Sequence, residues 1–143
     1  MLTTRIRRLR PDVTLPAYQT AESAGFDLAA SEDVTIEPGE VALVPTGLVI
    51  EVPHGHFLGV FARSSTPLKR GLMVANGVVV VDPDYSGPDD EVKIEVVNFT
   101  EQPVHVKRGD RIAQGLFIPV VQARWIEADD IRAVSRGGFG STA

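Results

Sequence analysis

At 143 residues, 43% hydrophobic and 23% charged, the chain has the length of one compact domain able to bury a core and the composition of an ordinary globular protein. A net charge of −5, from 19 acidic and 14 basic side chains, disfavours general nucleic-acid binding, and one Trp with two Tyr makes a poor platform for stacking single strands. Cysteine is absent, which excludes disulfides and thiolate catalysis, and no stretch approaches the roughly 18 apolar residues of a membrane span. The cytoplasm is the default location, with neither a membrane nor a stable nucleic-acid partner expected.

In chain order, Arg5, Arg7, Arg8 and Arg10 suggest a local basic strand, and no apolar segment follows them as a secretory signal would require. Residues 24–30, Ala-Gly-Phe-Asp-Leu-Ala-Ala, alternate apolar and small side chains around Asp27 and read as a strand with a charged exit. Residues 41–52 contain Val41, Leu43, Val44, Leu48, Val49, Ile50 and Val52 with a break at Pro45-Thr46-Gly47, and residues 57–61 form a shorter apolar run. Residues 64–73 offer the only helical window, with Pro67 suited to an early turn. The valine run 78–81 lacks in-out alternation, so both of its faces are expected to be covered. Residues 92–97 and 104–107 alternate, and 112–121 is apolar with breaks at Gln114-Gly115 and Pro119. Turn signals at Glu37-Pro38-Gly39, Pro53-His54-Gly55, 86–90 and 107–110 separate these segments. Many short strands at this spacing predict an all-β sandwich or barrel with at most one short helix. One domain spans 1–143, ending in a flexible Gly-rich arm over 134–143. A buried-looking strand together with a mobile tail predicts subunits that cover one another.

Several residues are not needed for packing. Asp82 and Asp84 follow the valine run, and if the strand continues through Pro83 they share a face. Such a pair serves a counter-ion, a metal or proton transfer, or else simply ends the strand in a polar turn. Arg63-Ser64-Ser65 precede the helical window, where the serines suit either capping or, with the arginine, an anion. Gln114 lies within a strand and suits a hydrogen bond to a neighbour, while Arg111 and Asp110 read equally as a solvated surface pair. In the tail, glycine N–H groups can wrap an anion, with Phe139 stacking on a ring and Arg136, Ser141 and Thr142 as phosphate donors. No P-loop and no Gly-x-Ser-x-Gly motif is present, and His54, His56 and His105 are too scattered for zinc.

Taken in order, these segments resemble the trimeric dUTPase family, within the dUTPase and dCTP deaminase superfamily. Ala24-Gly25-Phe26-Asp27-Leu28 resembles its first motif and Arg63-Ser64-Ser65 its second; Asn76 through Asp82-Pro83-Asp84-Tyr85-Ser86-Gly87 resembles the third. Gly109-Asp110-Arg111-Ile112-Ala113-Gln114 resembles the fourth and Gly137-Gly138-Phe139-Gly140-Ser141-Thr142 the fifth. The resemblance covers roughly residues 15–143 and implies a distorted jelly-roll-like fold, a homotrimer with shared active sites, and Mg2+-dependent hydrolysis of dUTP to dUMP and pyrophosphate. It implies that Asp82 is the base for water attacking the α-phosphorus, with Gln114 placing that water. Tyr85 is implied to exclude a 2′-hydroxyl, and Asn76 and Gly77 of a 76–85 hairpin to read the uracil edge. Arg63, Ser64, Ser65 and Gln114 are implied to hold phosphates, with Arg136, Phe139, Gly140, Ser141 and Thr142 closing over them from another subunit. Asp27, Asp84 and Arg111 are supporting residues, Asp27 through a metal-bound water or by orienting an arginine. No protein side chain is assigned as a metal ligand; Mg2+ is expected through substrate phosphates and waters.

The chain departs from the family pattern at three places. Val79 stands where glycine is usual, three residues before Asp82, and predicts bulk beside the base. Pro88-Asp89-Asp90 lengthens the turn after Gly87, and Val134-Ser135 replaces the Arg-Gly that usually opens the fifth motif, with Ala143 in place of its last glycine. Two alternatives stay open. One is a dCTP deaminase, or a bifunctional deaminase and dUTPase, suggested by the surroundings of Glu95 but opposed by Leu68 at a position where that branch carries arginine. The other is a nucleotide-binding β module without catalysis.

Overall fold

A computed structural model describes residues 1–141. Its elements are β1 (Ile6–Arg8), β2 (Phe26–Ala29), β3 (Val34–Ile36), β4 (Val41–Pro45), β5 (Leu48–Ile50), β6 (His56–Ala62), α1 (Ser65–Arg70), β7 (Leu72–Val74), β8 (Val79–Val81), β9 (Lys93–Asn98), β10 (Val104–Val106) and β11 (Arg111–Pro119). The strands pair antiparallel in four sheets, ordered β1-β5, β10-β3, β2-β11-β6-β8 and β4-β9-β7. The expected jelly-roll-like sandwich or barrel is corrected by this order, because none of the four sheets closes on itself. Closure needs a hydrogen-bond ladder that continues around an axis. Here β1, β3, β5, β7, β8 and β10 are only three residues long, and turns at Gly39, Gly47, Gly71, Gly77 and Gly109, all at positive φ, cut the ladder between them.

One core joins the sheets. Leu28, Ile36, Val44, Leu58, Val60, Ile94, Val96 and Ile112 are fully buried in it, drawn from six strands. Alternation explains the rest of β9, whose Ile94, Val96 and Asn98 face in while Lys93, Glu95 and Val97 face away. The buried Asn98 is satisfied, donating from Nδ2 to the Ile36 and Gln102 carbonyls at 2.9 and 2.7 Å.

Three local expectations change. The helical window shrinks to Ser65–Arg70, since Gly71 takes the left-handed cap at φ 68° and the following Leu72-Met73-Val74 joins a sheet. The valine run is not covered on both faces within one chain. It contributes the edge strand β8, with Val79 half-buried, Val80 60% exposed and Val81 buried. The apolar run near the C-terminus is not broken at Gln114-Gly115, because β11 continues from Arg111 to Pro119. Beyond Val120, whose N–H donates to the Gly55 carbonyl at 2.9 Å, residues 121–141 contain no strand or helix. No helix among the described residues is long and apolar enough to cross a membrane.

Candidate active site

β2, β6 and β11 lie side by side, and their register gathers the polar residues of three sequence motifs at one end of the sheet. Gln114 of β11 stands opposite Asp27 of β2 on one side and Phe61 of β6 on the other. A bulge between Arg111 and Ala113 shifts the register and re-aims the Arg111 side chain. Asp27 is almost buried and accepts two arginines: Arg63 Nε lies 2.9 Å from its Oδ1, and Arg111 Nη1 lies 3.2 Å from its Oδ2. Arg63 Nη1 also donates to the Arg111 carbonyl at 2.9 Å. One carboxylate therefore fixes two guanidinium groups, and the trio keeps a net positive charge suited to an anion.

Gln114 is held as firmly. Its Nε2 donates to the Ala62 carbonyl at 3.1 Å, and a Cβ added at Gly25 would sit 2.8 Å from its Oε1 and 2.9 Å from Leu116 Cδ1. Gly25 thus makes room for this amide. Ser64 and Ser65 lie beside Arg63 at the start of α1, and neither caps it. Ser64 has helical φ and ψ with no side-chain cap bond; Thr66 Oγ1 instead accepts from the Arg63 N–H at 3.0 Å and donates to the Ile112 carbonyl at 2.7 Å. The buried Thr66 thus ties the start of α1 to β11, and neither serine hydroxyl is taken up in capping. Arg111 and Asp110 do not form the surface pair considered above. Asp110 accepts from Arg70 Nη1 and from the Lys107 N–H, both at 2.9 Å. Burial pushes the Asp110 carboxyl up, but the Lys107 N–H and the Arg70 guanidinium outweigh it and hold the group below its ordinary value.

The third motif lies elsewhere. Val81 of β8 stands opposite Leu58 and Val79 opposite Val60, so Asp82 follows on beside the start of β6, whereas Arg63 follows its end. Six residues of extended strand separate those levels by about 20 Å. The strand stops at Val81, and the Tyr85 N–H closes a turn onto the Asp82 carbonyl at 3.1 Å. Asp82 and Asp84 are thus turn residues and not successive positions of one strand. Both are exposed and line a cleft of ≈ 790 Å³ with His54, His56 and Val80. Tyr85 is partly exposed, and its hydroxyl donates to the Glu91 carbonyl at 2.9 Å. Residues 76–85 are not a hairpin: β8 pairs only with β6, and Asn76-Gly77, with Gly77 at φ 74°, form the turn that enters it. Val79 packs against the core, so its bulk points away from the Asp82 cleft, which Val80 lines instead.

The tail approaches neither cluster within one chain. Phe139 is fully exposed at φ 51°, and Gly138 and Ser141 close a turn around it through Gly138 N–H to Ser141 Oγ at 2.6 Å and Ser141 N–H to the Gly138 carbonyl at 3.0 Å. Arg136 and Gly140 are exposed beside it, and Thr142 lies outside the described residues. No group of three or more His, Cys, Asp or Glu side chains converges on a point among the described residues. Sequence reasoning missed Gly25, Thr66 and Glu91 as contributors. Only the Ala-Gly-Phe-Asp string hinted at the first, and nothing local marked the others.

An open antiparallel β fold that presents an arginine-carboxylate-glutamine cluster at one end of a sheet and an Asp-x-Asp-Tyr turn at the other matches a known family. The family model described as dUTPase matches residues 12–143. Deoxyuridine 5′-triphosphate nucleotidohydrolase of Nautilia profundicola is 41% identical over 140 residues, covering 96% of each chain. The enzyme of the same name from Desulfitobacterium hafniense (strain DSM 10664 / DCB-2) is 49% identical over 133 residues, covering 90% of this chain and 86% of its own. Among solved structures, the crystal structure of dUTPase from Streptococcus mutans superposes with a TM-score of 0.76 at 36% identity, over 84% of this chain and 98% of that one. The chain belongs to the dUTPase family. It is a hydrolase of that family, and its reaction is the hydrolysis of dUTP to dUMP and pyrophosphate.

Proposed function

We propose that dUTP is hydrolysed at a site shared between copies of this chain in a homotrimer, with Asp82 of one copy as base and the Arg63-Gln114 cluster of another around the phosphates. The observation that carries this reading is the separation of about 20 Å along β6 between the two levels. Gln114 itself stands opposite Phe61, about 13 Å along β6 from the level of Asp82, and a base must come within hydrogen-bond reach of the water it activates, so Asp82 and Gln114 of a single chain do not serve one reaction. A neighbouring copy supplies the missing half.

In this arrangement Asp82 takes a proton from water as the oxygen attacks the α-phosphorus, and the leaving group departs as pyrophosphate. Gln114, fixed by the Ala62 carbonyl and the space above Gly25, orients that water or a phosphate oxygen. Arg63 provides planar donors to the phosphates, Ser64 and Ser65 provide hydroxyls, and Asp27 keeps Arg63 and Arg111 in position. Tyr85 forms the wall against the deoxyribose, and the Asn76-Gly77 backbone faces the base. Arg136, Phe139, Gly140, Ser141 and Thr142 of the arm close over the nucleotide, with Phe139 on the ring. No protein side chain is assigned as a metal ligand in this reading, and a Mg2+ ion would be held through phosphate oxygens and waters. When bound, that ion neutralises phosphate charge.

Mixing two inactive variants tests the shared site. Asp82→Asn and Arg63→Ala proteins are each expected to release little pyrophosphate from dUTP. Dissociated and reassembled together, they should regain activity in about a quarter of the sites, by random assortment within a symmetric oligomer. Mixed assemblies as inactive as their parents would place both groups in one chain's site and reject the arrangement. Ammonia release from dCTP, measured in the same assay, would point to the deaminase branch instead.

A further inference from the structure

The arginine-rich N-terminus and the lengthened turn after Gly87 play no part in the reaction as described, yet the structure joins them. Arg7 Nη1 donates to the Pro88 carbonyl at 2.9 Å across a cleft of ≈ 370 Å³ between β1 and Ser86-Gly87-Pro88. Neighbouring Arg5, just ahead of β1, is already engaged by both oxygens of Glu51 at 2.6 and 2.8 Å. Arg7 has no ion-pair partner among the described residues, and the Pro88 carbonyl is its side-chain acceptor.

The turn that Arg7 grips is the one that holds Tyr85. Within it, Asp90 Oδ2 accepts from the Gly87 N–H at 2.7 Å, and a Cβ at Gly87 would lie 2.8 Å from that oxygen. Its far end is clamped to the chain that enters β5: Glu91 Oε1 accepts from the Gly47 N–H at 3.2 Å, and the Val92 N–H donates to the Leu48 carbonyl at 2.8 Å. The Tyr85 hydroxyl donates to the carbonyl of that clamped Glu91. β5 in turn pairs with β1, Val49 opposite Arg7. The β1-β5 ribbon therefore holds the turn at both ends, through Gly47-Leu48 at Glu91-Val92 and through Arg7 at Pro88.

We propose that Arg7 is a positioning residue for sugar selection, stiffening through the Pro88 carbonyl the turn that fixes the Tyr85 ring. The proposal rests on the reading of Tyr85 as the wall beside the deoxyribose. Exclusion of an added hydroxyl is steric, so it is only as strong as the wall is stiff. A wall that yields by a few tenths of an ångström admits the 2′-hydroxyl while scarcely changing contact with the smaller sugar. Loss of Arg7 then raises kcat/KM for UTP more than it lowers that for dUTP. General destabilisation would lower both.

The test compares kcat/KM for dUTP and UTP in the wild-type protein and four variants. Arg7→Ala is expected to lower the dUTP/UTP ratio by about 3- to 10-fold, mainly through a gain with UTP, the scale of one lost hydrogen bond. Arg7→Lys, which keeps a donor in reach of the carbonyl, should restore most of the ratio. Arg5→Ala, which breaks the Glu51 pair just ahead of β1 without touching the turn, should leave it unchanged. Tyr85→Ala should collapse it. A ratio in Arg7→Ala within about twofold of wild type, while Tyr85→Ala collapses it, would overturn the role of Arg7 and leave the wall intact. An equal loss in Arg5→Ala would reduce the effect to fraying of β1 and also overturn it. An unchanged ratio in Tyr85→Ala would reject the wall itself and the proposal with it.

Discussion

Where β6 ends, Arg63 and Arg111 are already seated on Asp27, and Gln114 is pinned between the Ala62 carbonyl and Gly25; where β8 ends, Asp82 and Asp84 project with no ion-pair partner among the described residues. The first region is assembled by side chains, two arginines held on one carboxylate with a net positive charge left over. The second is assembled mainly by backbone, through the Tyr85 N–H to the Asp82 carbonyl and the Val92 N–H to the Leu48 carbonyl. The contrast follows from what each must do. Donors for a polyanion gain from being fixed in advance, since no reorganisation is then needed when charge develops. A general base must stay free of strong cationic partners, because a tight ion pair would lower its basicity. Its position is therefore set through the main chain.

The largest effect is expected from breaking the second region at its one reacting group. Asp82→Asn keeps the shape of the turn and removes the proton acceptor, so turnover should fall by about 10²- to 10⁴-fold, the scale of a general base. Nucleotide affinity, measured by calorimetry, should change little because the phosphate donors belong to the other region. Near-full pyrophosphate release by this variant would remove Asp82 from the base role.

A smaller effect should follow from disturbing the first region through its packing. Gly25→Ala places a Cβ 2.8 Å from Gln114 Oε1, 2.9 Å from Leu116 Cδ1 and 3.2 Å from the Gly115 carbonyl oxygen. The amide must turn away from the Ala62 carbonyl, a displacement for which about a 10- to 100-fold loss of rate is reasonable. Steady-state kinetics alongside thermal melting would separate the two effects: the expected outcome is a clear fall in kcat with a melting point that drops only a little. An unchanged kcat would show that Gln114 tolerates either orientation.

What was legible in the chain, and what was not, divides along the same line. Asp27, Arg63, Asp82 and Gln114 stood out because polar groups within or beside apolar strands need a reason, and order along the chain tied them into one pattern. Their supports were not legible, because each depends on a contact distant in sequence. Thr66 anchors the start of α1 only because the Ile112 carbonyl of β11 accepts its hydroxyl, which two adjacent serines with the same local chemistry do not reveal. Gly25 reads as an ordinary small residue until Gln114 is set against it. The barrel failed for a related reason. Alternation and turns identify strands one at a time, whereas closure depends on how short sheets join, and Leu72-Met73-Val74 is too brief to tell strand from helix by period. The sequence alone does not say which way Val79 points, because the direction of a strand residue depends on which neighbour sets its face, and here that face is the core.

The smallest effect lies in the ribbon that braces the second region. Glu51 is held at about 2, against an ordinary 4.5, chiefly by the side-chain hydrogen bond from Arg5. Its folded pKa lies below its unfolded one, so the folded state binds fewer protons between those values. The stability contributed by the pair is complete above about pH 4.5 and is lost as the pH falls toward 2. The pair is exposed, so its worth is modest and should be further reduced by salt. Urea midpoints of wild type and Glu51→Gln, compared from neutral pH downward, should differ slightly above pH 4.5 and converge below it. A difference that stays constant through that window would mean that Glu51 acts by packing along β5 and not by its charge.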